Sequence, residues 1–244
     1  MKFLILSDVH SNFDALKSVL DFVKENYQNN FYEIICLGDI VGYGAEPNEC
    51  LDTVFSLTER ILLGNHECGV LGKTNIGFFN YSAKESILWT RKVMKKKYFE
   101  RLKKLDYTFS FEDFKFSHST FQNPSYWNYI TSIYEAEDEF DYQDFKILFI
   151  GHTHIPVVYE KNSDDVKIIQ PGELKIKKNS RYIINVGSVG QPRDGDSRAS
   201  FVLFDSNKMI VKFHRVEYDI KSAMKKINDR KLPKILADRL EKGL

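Results

Sequence analysis

The stretch Lys2-Phe-Leu-Ile-Leu-Ser-Asp8-Val-His10-Ser-Asn-Phe13 decides the fold. Phe3 to Leu6 form a short, unbroken apolar run that stops at Ser-Asp, and the next apolar positions, Phe13, Leu16, Val19, Leu20 and Val23, return at helical spacing. An apolar run of this length suits a strand covered on both faces, so the segment reads strand, loop, helix. Ser11 or Asn12 is placed to cap the helix, and Asp14 puts a carboxylate in its first turn, where the helix dipole favours one. A polar loop at the C-terminal end of such a strand is where open α/β sheets hold their ligands.

The cycle recurs down the chain. Glu33 to Leu37 reads as a second buried strand, the helix after it starts near Glu46-Pro47, and Arg60 to Leu63 reads as a third strand. From Asn80 to Leu105 the spacing of Ile87, Met94, Tyr98, Leu102 and Leu105 predicts one or two amphipathic helices. Strands dominate thereafter, over 114–116, 146–150, 157–159, 166–169, 182–186, 199–204 and 210–216, and 220–244 reads as terminal helix interrupted by Pro233. Alternating elements followed by a strand-rich half give an α/β (α+β) class. The expected organisation is a single domain over 1–244, with a helical insert at about 70–113 forming one wall of a cleft and a C-terminal helical segment at about 219–244.

Composition narrows the class further. With 43% hydrophobic and 28% charged residues, 13 Gly and 6 Pro in 244, the chain is neither fibrous nor disordered. A net charge of +1 leaves no global field for a polyanion or a membrane surface, so nucleic acid and membrane are not expected partners. Cys36, Cys50 and Cys68 are odd in number and lack a paired Cys-x-x-Cys pattern, which predicts buried thiols in a reducing cytoplasm. The apolar run Phe3 to Leu6 is too short for a signal peptide, which again points to a cytoplasmic location.

The histidines are not scattered. Five of the six follow predicted strands: Asp8-Val-His10, then Gly64-Asn65-His66-Glu67, Ser117-His118 and Gly151-His152-Thr-His154, with Gly38-Asp39 in the same series. Carboxylates, imidazoles and an amide oxygen suit borderline divalent ions such as Mn, Fe, Co, Ni or Zn, and the lack of cysteine in the set argues against structural zinc. Asp8 and His10, two apart, face one side if the backbone stays extended. The same holds for His152 and His154, whereas a turn there sends the two to different ions. Asp39 can bridge two ions through its separate oxygens, which makes a dinuclear site chemically reasonable.

This ordered set, spanning Asp8 to His154, resembles the calcineurin-like metallophosphoesterase superfamily. The stretch Asn185-Val-Gly-Ser-Val-Gly-Gln-Pro-Arg193-Asp-Gly-Asp196 extends the likeness to its prokaryotic-type small phosphodiesterases and dinucleoside polyphosphate hydrolases, although many relatives carry Pro where this chain has Val186. The resemblance implies a four-layer αββα sandwich of two facing mixed β-sheets flanked by helices. It implies two divalent metal ions, one on Asp8, His10, Asp39 and His154 and the other on Asp39, Asn65, His118 and His152. It also implies that His66 meets the substrate phosphate and assists the leaving group.

The expected reaction is hydrolysis of a small-molecule phosphodiester or nucleotide (poly)phosphate by attack of a metal-bridging hydroxide on phosphorus, with His66 giving a proton or hydrogen bond to the departing oxygen. Asn65 and His66 are candidate substrate contacts. Arg193 either adds a guanidinium fork to a phosphate oxygen or is a turn residue paired with Asp194 or Asp196. Glu67 and Asp14 or Ser11 are candidates for orienting the ligands from outside. Phosphomonoesterase, protein phosphatase and non-catalytic binding module are the alternatives. The basic run Arg91 to Lys97 reads as a solvated helix face, aromatic residues such as Trp127 and Tyr129 as packing more than base stacking, and His214 as a surface position without a catalytic role.

Overall fold

The computed structural model describes residues 1–27, 33–163 and 165–244. The first sheet contains β1 (Lys2–Leu6), β2 (Glu33–Cys36), β8 (Glu173–Lys175), β10 (Ala199–Asp205) and β11 (Ile210–Val216) in the order β2-β1-β10-β11-β8. The second contains β3 (Thr108–Phe111), β4 (Phe114–Ser117), β5 (Ile147–Ile150), β6 (Val157–Lys161), β7 (Val166–Ile169) and β9 (Arg181–Asn185) in the order β3-β4-β5-β9-β6-β7. Both are mixed: β1 runs parallel to β2 and antiparallel to β10, while β4, β5 and β9 are parallel and the rest of that sheet is antiparallel. The eight described helices are α1 (Phe13–Tyr27), α2 (Pro47–Leu57), α3 (Asn65–Leu71), α4 (Tyr81–Val93), α5 (Lys96–Leu102), α6 (Ile133–Tyr142), α7 (Ile220–Asp229) and α8 (Ile235–Lys242).

Strand periodicity sorts the core into layers. Phe3 and Ile5 of β1 face the second sheet, where they join Phe116, Phe149, Ile184 and Phe204 in the core between the sheets. Leu4 and Leu6 face the other way, onto Leu16 and Val19 of α1 and Leu51 and Val54 of α2. On the far side, Leu148 and Ile183 pack on Ala136 and Phe140 of α6. The result is the four-layer αββα sandwich of two facing mixed sheets flanked by helices, and double coverage explains why β1 is apolar at successive positions.

The structure departs from several sequence expectations. Arg60 to Leu63 forms only isolated parallel bridges, Ile61 to Cys36 and Leu62 to Asp106, because the chain leaves the sheet at Gly64. The stretch expected as a helical insert ends in sheet, with β3 pairing along β4. Asn12, not Ser11, caps α1: its Oδ1 accepts from the Ala15 N–H at 3.1 Å. Asp14 turns away from the histidines to Lys226 of α7 at 2.8 Å, and Lys226 also reaches Glu46, so Asp14 ties α7 to the body instead of orienting ligands. His214 is half-buried, stacked on Phe201 and hydrogen-bonded to Tyr27, because its side of β11 is covered by α1. The turn expected at 162–165 includes residue 164, which lies outside the described residues.

Candidate metal centre

Every predicted metal ligand, and His66, follows the C-terminal end of a strand or bridge segment, whereas Arg193 lies farther along the loop after β9. Asp8 and His10 follow β1, Asp39 follows β2, Asn65 and His66 begin α3, His118 follows β4, and His152 and His154 follow β5. Backbone hydrogen bonds lace these loops together, with the Asp8, His10 and Ser11 amides donating to the carbonyls of Gly38, Asp39 and Ile40. Asp8, His10, Asp39, His152 and His154 all have positive φ, between 49° and 65°. Left-handed backbone at a non-glycine residue costs of order 1–2 kcal/mol, so neighbouring contacts must hold each one in place.

Those left-handed residues aim the side chains. The chain turns between His152 and His154, and the pair divides: His154 joins Asp8 and His10, while His152 joins Asp39 and His118. In the first group, His154 Nε2 lies 3.1 Å from Asp8 Oδ1 and 3.0 Å from His10 Nε2. In the second, His118 Nε2 lies 3.4 Å from Asp39 Oδ2 and 3.1 Å from Asn65 Oδ1. Asp39 Oδ2 is also 3.7 Å from His10 Nε2, so it stands between the groups. Its other oxygen, Oδ1, accepts the His66 backbone N–H at 2.8 Å, and Oδ2 is the oxygen that faces both groups.

The donor chemistry fits cations. His10 Nδ1 faces the Val41 carbonyl at 3.1 Å, His118 Nδ1 the Leu37 carbonyl at 3.1 Å, and His154 Nδ1 the Gln191 carbonyl at 2.7 Å. A carbonyl only accepts, so each Nδ1 carries its proton and each Nε2 is left as the inward-facing nitrogen. His152 is reversed, with Nε2 on the Trp127 carbonyl at 2.9 Å. The inward nitrogens of His10 and His154 thus face each other at 3.0 Å, and Asp8 Oδ1 is buried without a hydrogen bond. A positive ion between the groups resolves both conditions.

The pKa shifts report the same imbalance. Burial pushes His152 down to about 4 and His154 down to about 3. At His118 burial is outweighed by the charges of Asp39 and Asp8, which carry it up to about 9. Asp8 and Asp39 stay well below the usual carboxylate range despite burial, held by the histidines around them. A proton on His118 neutralises part of what a cation would neutralise.

Glu67 braces this arrangement, accepting the backbone N–H groups of Asp39 (2.8 Å), Val41 (3.0 Å) and Gly64 (3.0 Å). A Cβ on Gly64 would stand 2.1 Å from Asp39 Oδ1, and one on Gly42 would stand 2.0 Å from His66 Nδ1. His66 lies against His10 and Tyr43, with ring centroids at 4.7 and 4.4 Å, and its Nδ1 has no hydrogen-bond partner. Ser11 Oγ is likewise buried without a partner and orients no ligand.

Arg193 does not pair with its neighbours in the turn, because Asp194 goes to Arg215 and Asp196 to Arg198. Its guanidinium lies over the Tyr43 ring at 5.6 Å instead, and its backbone N–H donates to the His154 carbonyl. Sequence reasoning missed Tyr43, for which the only signal was its place between Gly42 and Gly44. A cleft of about 740 Å³ opens beside the centre, with Asn65 and His152 among its lining and Phe78, Phe79, Tyr126, Trp127 and Tyr129 as aromatic walls. Tyr129 stacks on the His152 imidazole at 4.3 Å, so this aromatic group serves the site and not only packing. The basic run is spent on protein contacts, with Arg91 on the carbonyls of Gly69 and Val70 and Lys95 and Lys97 on Asp52.

Residues 1–156 match the calcineurin-like phosphoesterase family. The chain belongs to that family. As a calcineurin-like phosphoesterase it is a metal-binding phosphoester hydrolase by family, and its His and Asp clusters could hold two ions. An uncharacterized protein of Methanocaldococcus jannaschii is 41% identical over 98% of this chain and 97% of its own length. The crystal structure of a metallophosphoesterase from Sphaerobacter thermophilus superposes with a TM-score of 0.86 at 34% identity, covering 100% of this chain and 99% of that one. A symmetrical bis(5'-nucleosyl)-tetraphosphatase of Wigglesworthia glossinidia brevipalpis is 32% identical over 73 residues, 29% of this phosphoesterase and 26% of that protein.

Proposed function

We propose that the protein hydrolyses a small phosphodiester or nucleotide polyphosphate with two divalent cations, one held by Asp8, His10, Asp39 and His154 and the other by Asp39, Asn65, His118 and His152. The observation that carries this reading is the run of three-residue clusters Asp8-His10-His154, His10-Asp39-His66 and Asp39-His118-His152, joined through His10 and Asp39, with imidazole nitrogens turned inward. Two ions so held supply an activated water and neutralise charge developing on a phosphoryl group.

The chain's own residues do the rest. Burial keeps His66 neutral, so at neutral pH it serves the departing oxygen as a hydrogen-bond donor. Gly42 and Tyr43 fix the imidazole, and Asn65 and His152 connect the centre to the cleft. The aromatic walls favour a substrate with a planar group, and the short stretch of likeness to a bis(5'-nucleosyl)-tetraphosphatase supports a nucleotide. Among the described residues no helix is long and apolar enough to cross a membrane. The three free, buried cysteines support a cytoplasmic location.

The test is hydrolysis of bis-p-nitrophenyl phosphate and p-nitrophenyl phosphate by chelator-stripped protein with and without Mn, beside His66→Asn and Asp39→Asn. Mn-dependent turnover of the diester that falls by about 100-fold or more in both variants is expected. Preference for the monoester would favour a phosphomonoesterase, and two bound ions with no turnover of either ester would favour a binding module.

A further inference from the structure

The cleft beside the metal centre is walled by two short segments from different parts of the chain. One carries Phe78 at the end of a single 3-10 turn, Ile76–Phe78, and the other carries Tyr126 at the end of a second, Pro124–Tyr126. In each segment the next residue is tied to the centre. Phe79 meets the His66 ring edge-on with centroids 5.7 Å apart, and the Trp127 carbonyl faces His152 Nε2 at 2.9 Å. The segments are also joined to each other, because Trp127 Nε1 donates to Thr74 Oγ1 at 3.4 Å. Trp127 adopts left-handed backbone, with φ 60°, an outlier for so bulky a residue, and strain of this kind collects at sites of function.

Phe78 and Tyr126 themselves stay 89% and 73% exposed while lining one cavity of about 740 Å³, a size that houses ligands much larger than a phosphoryl group. Among the described residues neither ring stacks on another aromatic side chain. One exposed aromatic is ordinary on a protein surface, but two in a single cavity, each one residue from a contact with the metal centre, offer their ring faces to a ligand. The polar lining narrows its chemistry. Lys73 is the only formally charged residue of the lining, no carboxylate lines the cavity, and among the described residues Lys73 has no ion pair. Asn75 and Asn80 give Oδ1 to the N–H groups of Gly77 and Ala83, both at 2.9 Å, which leaves their NH2 groups as the unpartnered donors. Ring faces flanked by donors and a positive charge suit a flat ring with acceptor atoms on an anionic chain, the chemistry of a nucleotide. A cationic or purely hydrocarbon ring would leave those donors unmet.

We propose that the base of a nucleotide ester stacks on Phe78 and Tyr126 while its phosphorus lies at the metal centre, so that these two residues select nucleoside-bearing esters over alkyl ones. The proposal rests on the two-metal hydrolase reading and adds two specificity-determining residues that no ligand motif marks. Stacking tolerates any base, so purine and pyrimidine nucleotides are both accepted.

The test uses the full chain with Mn in excess. Binding is measured by calorimetric titration of α,β-methylene adenosine 5′-diphosphate and, separately, of methylenediphosphonate, which lacks the nucleoside. Wild type should prefer the nucleoside compound by about 10- to 100-fold, and Phe78→Ala or Tyr126→Ala should each lower that preference by about 5-fold or more, as loss of a base–aromatic stack does. Tyr126→Phe, which keeps the ring, should keep the preference. Turnover is then compared for the p-nitrophenyl ester of thymidine 5′-monophosphate and methyl p-nitrophenyl phosphate, which share a leaving group. Either alanine variant should lower kcat/KM for the thymidine ester by about 5-fold or more relative to the methyl ester. Ring-dependent preference in binding by a protein that cleaves neither ester would uphold the base site and sink the hydrolase reading. Mn-dependent cleavage with the same preferences in wild type and both alanine variants, or an equal loss on both members of each pair, would overturn the base site and leave the hydrolase reading standing.

Discussion

His118 shows how a single side chain records the need for a cation. Burial alone would strip its proton, yet the carboxylates of Asp39 and Asp8 beside it carry its pKa up to about 9. A histidine raised in the folded state contributes stability that is complete below its unfolded value near 6.5 and is lost as pH rises through the folded value. The melting temperature of chelator-stripped protein should therefore carry a decline between about pH 6.5 and 9 that saturating Mn removes, because the metal takes over the proton's role. Calorimetry at pH 7.5 in buffers of different ionisation enthalpy should also register proton release on Mn binding, and His118→Asn should abolish that release. A flat profile in the metal-free protein, or no proton release, would contradict the assignment.

At the scale of elements, α6 is informative because its pattern is almost invisible. Its sequence Ile-Tyr-Glu-Ala-Glu-Asp-Glu-Phe-Asp-Tyr from Ile133 to Tyr142 is half acidic, and only Ala136, Glu139 and Phe140 are buried, so no broad apolar stripe marks it. What fixes its start is a capping box, in which Ser132 Oγ accepts the Glu135 N–H and Glu135 Oε2 accepts the Ser132 N–H at 2.9 Å. Ser132→Ala should cost about 1 kcal/mol in denaturant unfolding without altering metal stoichiometry. The strands of the two-sided core were legible because Val, Ile, Leu and Phe run unbroken there. β3 and β8 were not, since each lies at a sheet edge and buries little. α3 was hidden for another reason: it starts on Asn65 and His66 and contains Gly69, which reads as a breaker. That glycine lets α3 lie close to α4, since an added Cβ would stand 2.9 Å from Cδ1 of Ile87 and the Ile87 side chain would have to shift. The ligand-type residues could be picked out from type and spacing, but their division could not. The turn between His152 and His154 depends on left-handed backbone, and the partner of Arg193, Tyr43, is remote from it in sequence.

At the scale of the whole molecule, the candidate ligands come from both sheets: Asp8, His10 and Asp39 from the ends of β1 and β2, and His118, His152 and His154 from the ends of β4 and β5. The centre cannot exist until the two sheets have closed over the Phe3, Phe116 and Phe149 core. Its pieces span Asp8 to His154, so closing it requires joining remote parts of the chain, which topology-limited folding does slowly. Cations bound there stabilise the finished structure more than a barrier in which the sheets are still apart. In stopped-flow experiments, Mn should leave the refolding rate near its metal-free value and slow unfolding by about 10-fold or more, in proportion to the stability it adds. An equal acceleration of refolding would mean that the loops gather before the sheets do. If unfolding alone is slowed, the pair of ions acts as a latch: what would set the protein's lifetime is how seldom both sheets release their hold on the same two atoms of metal.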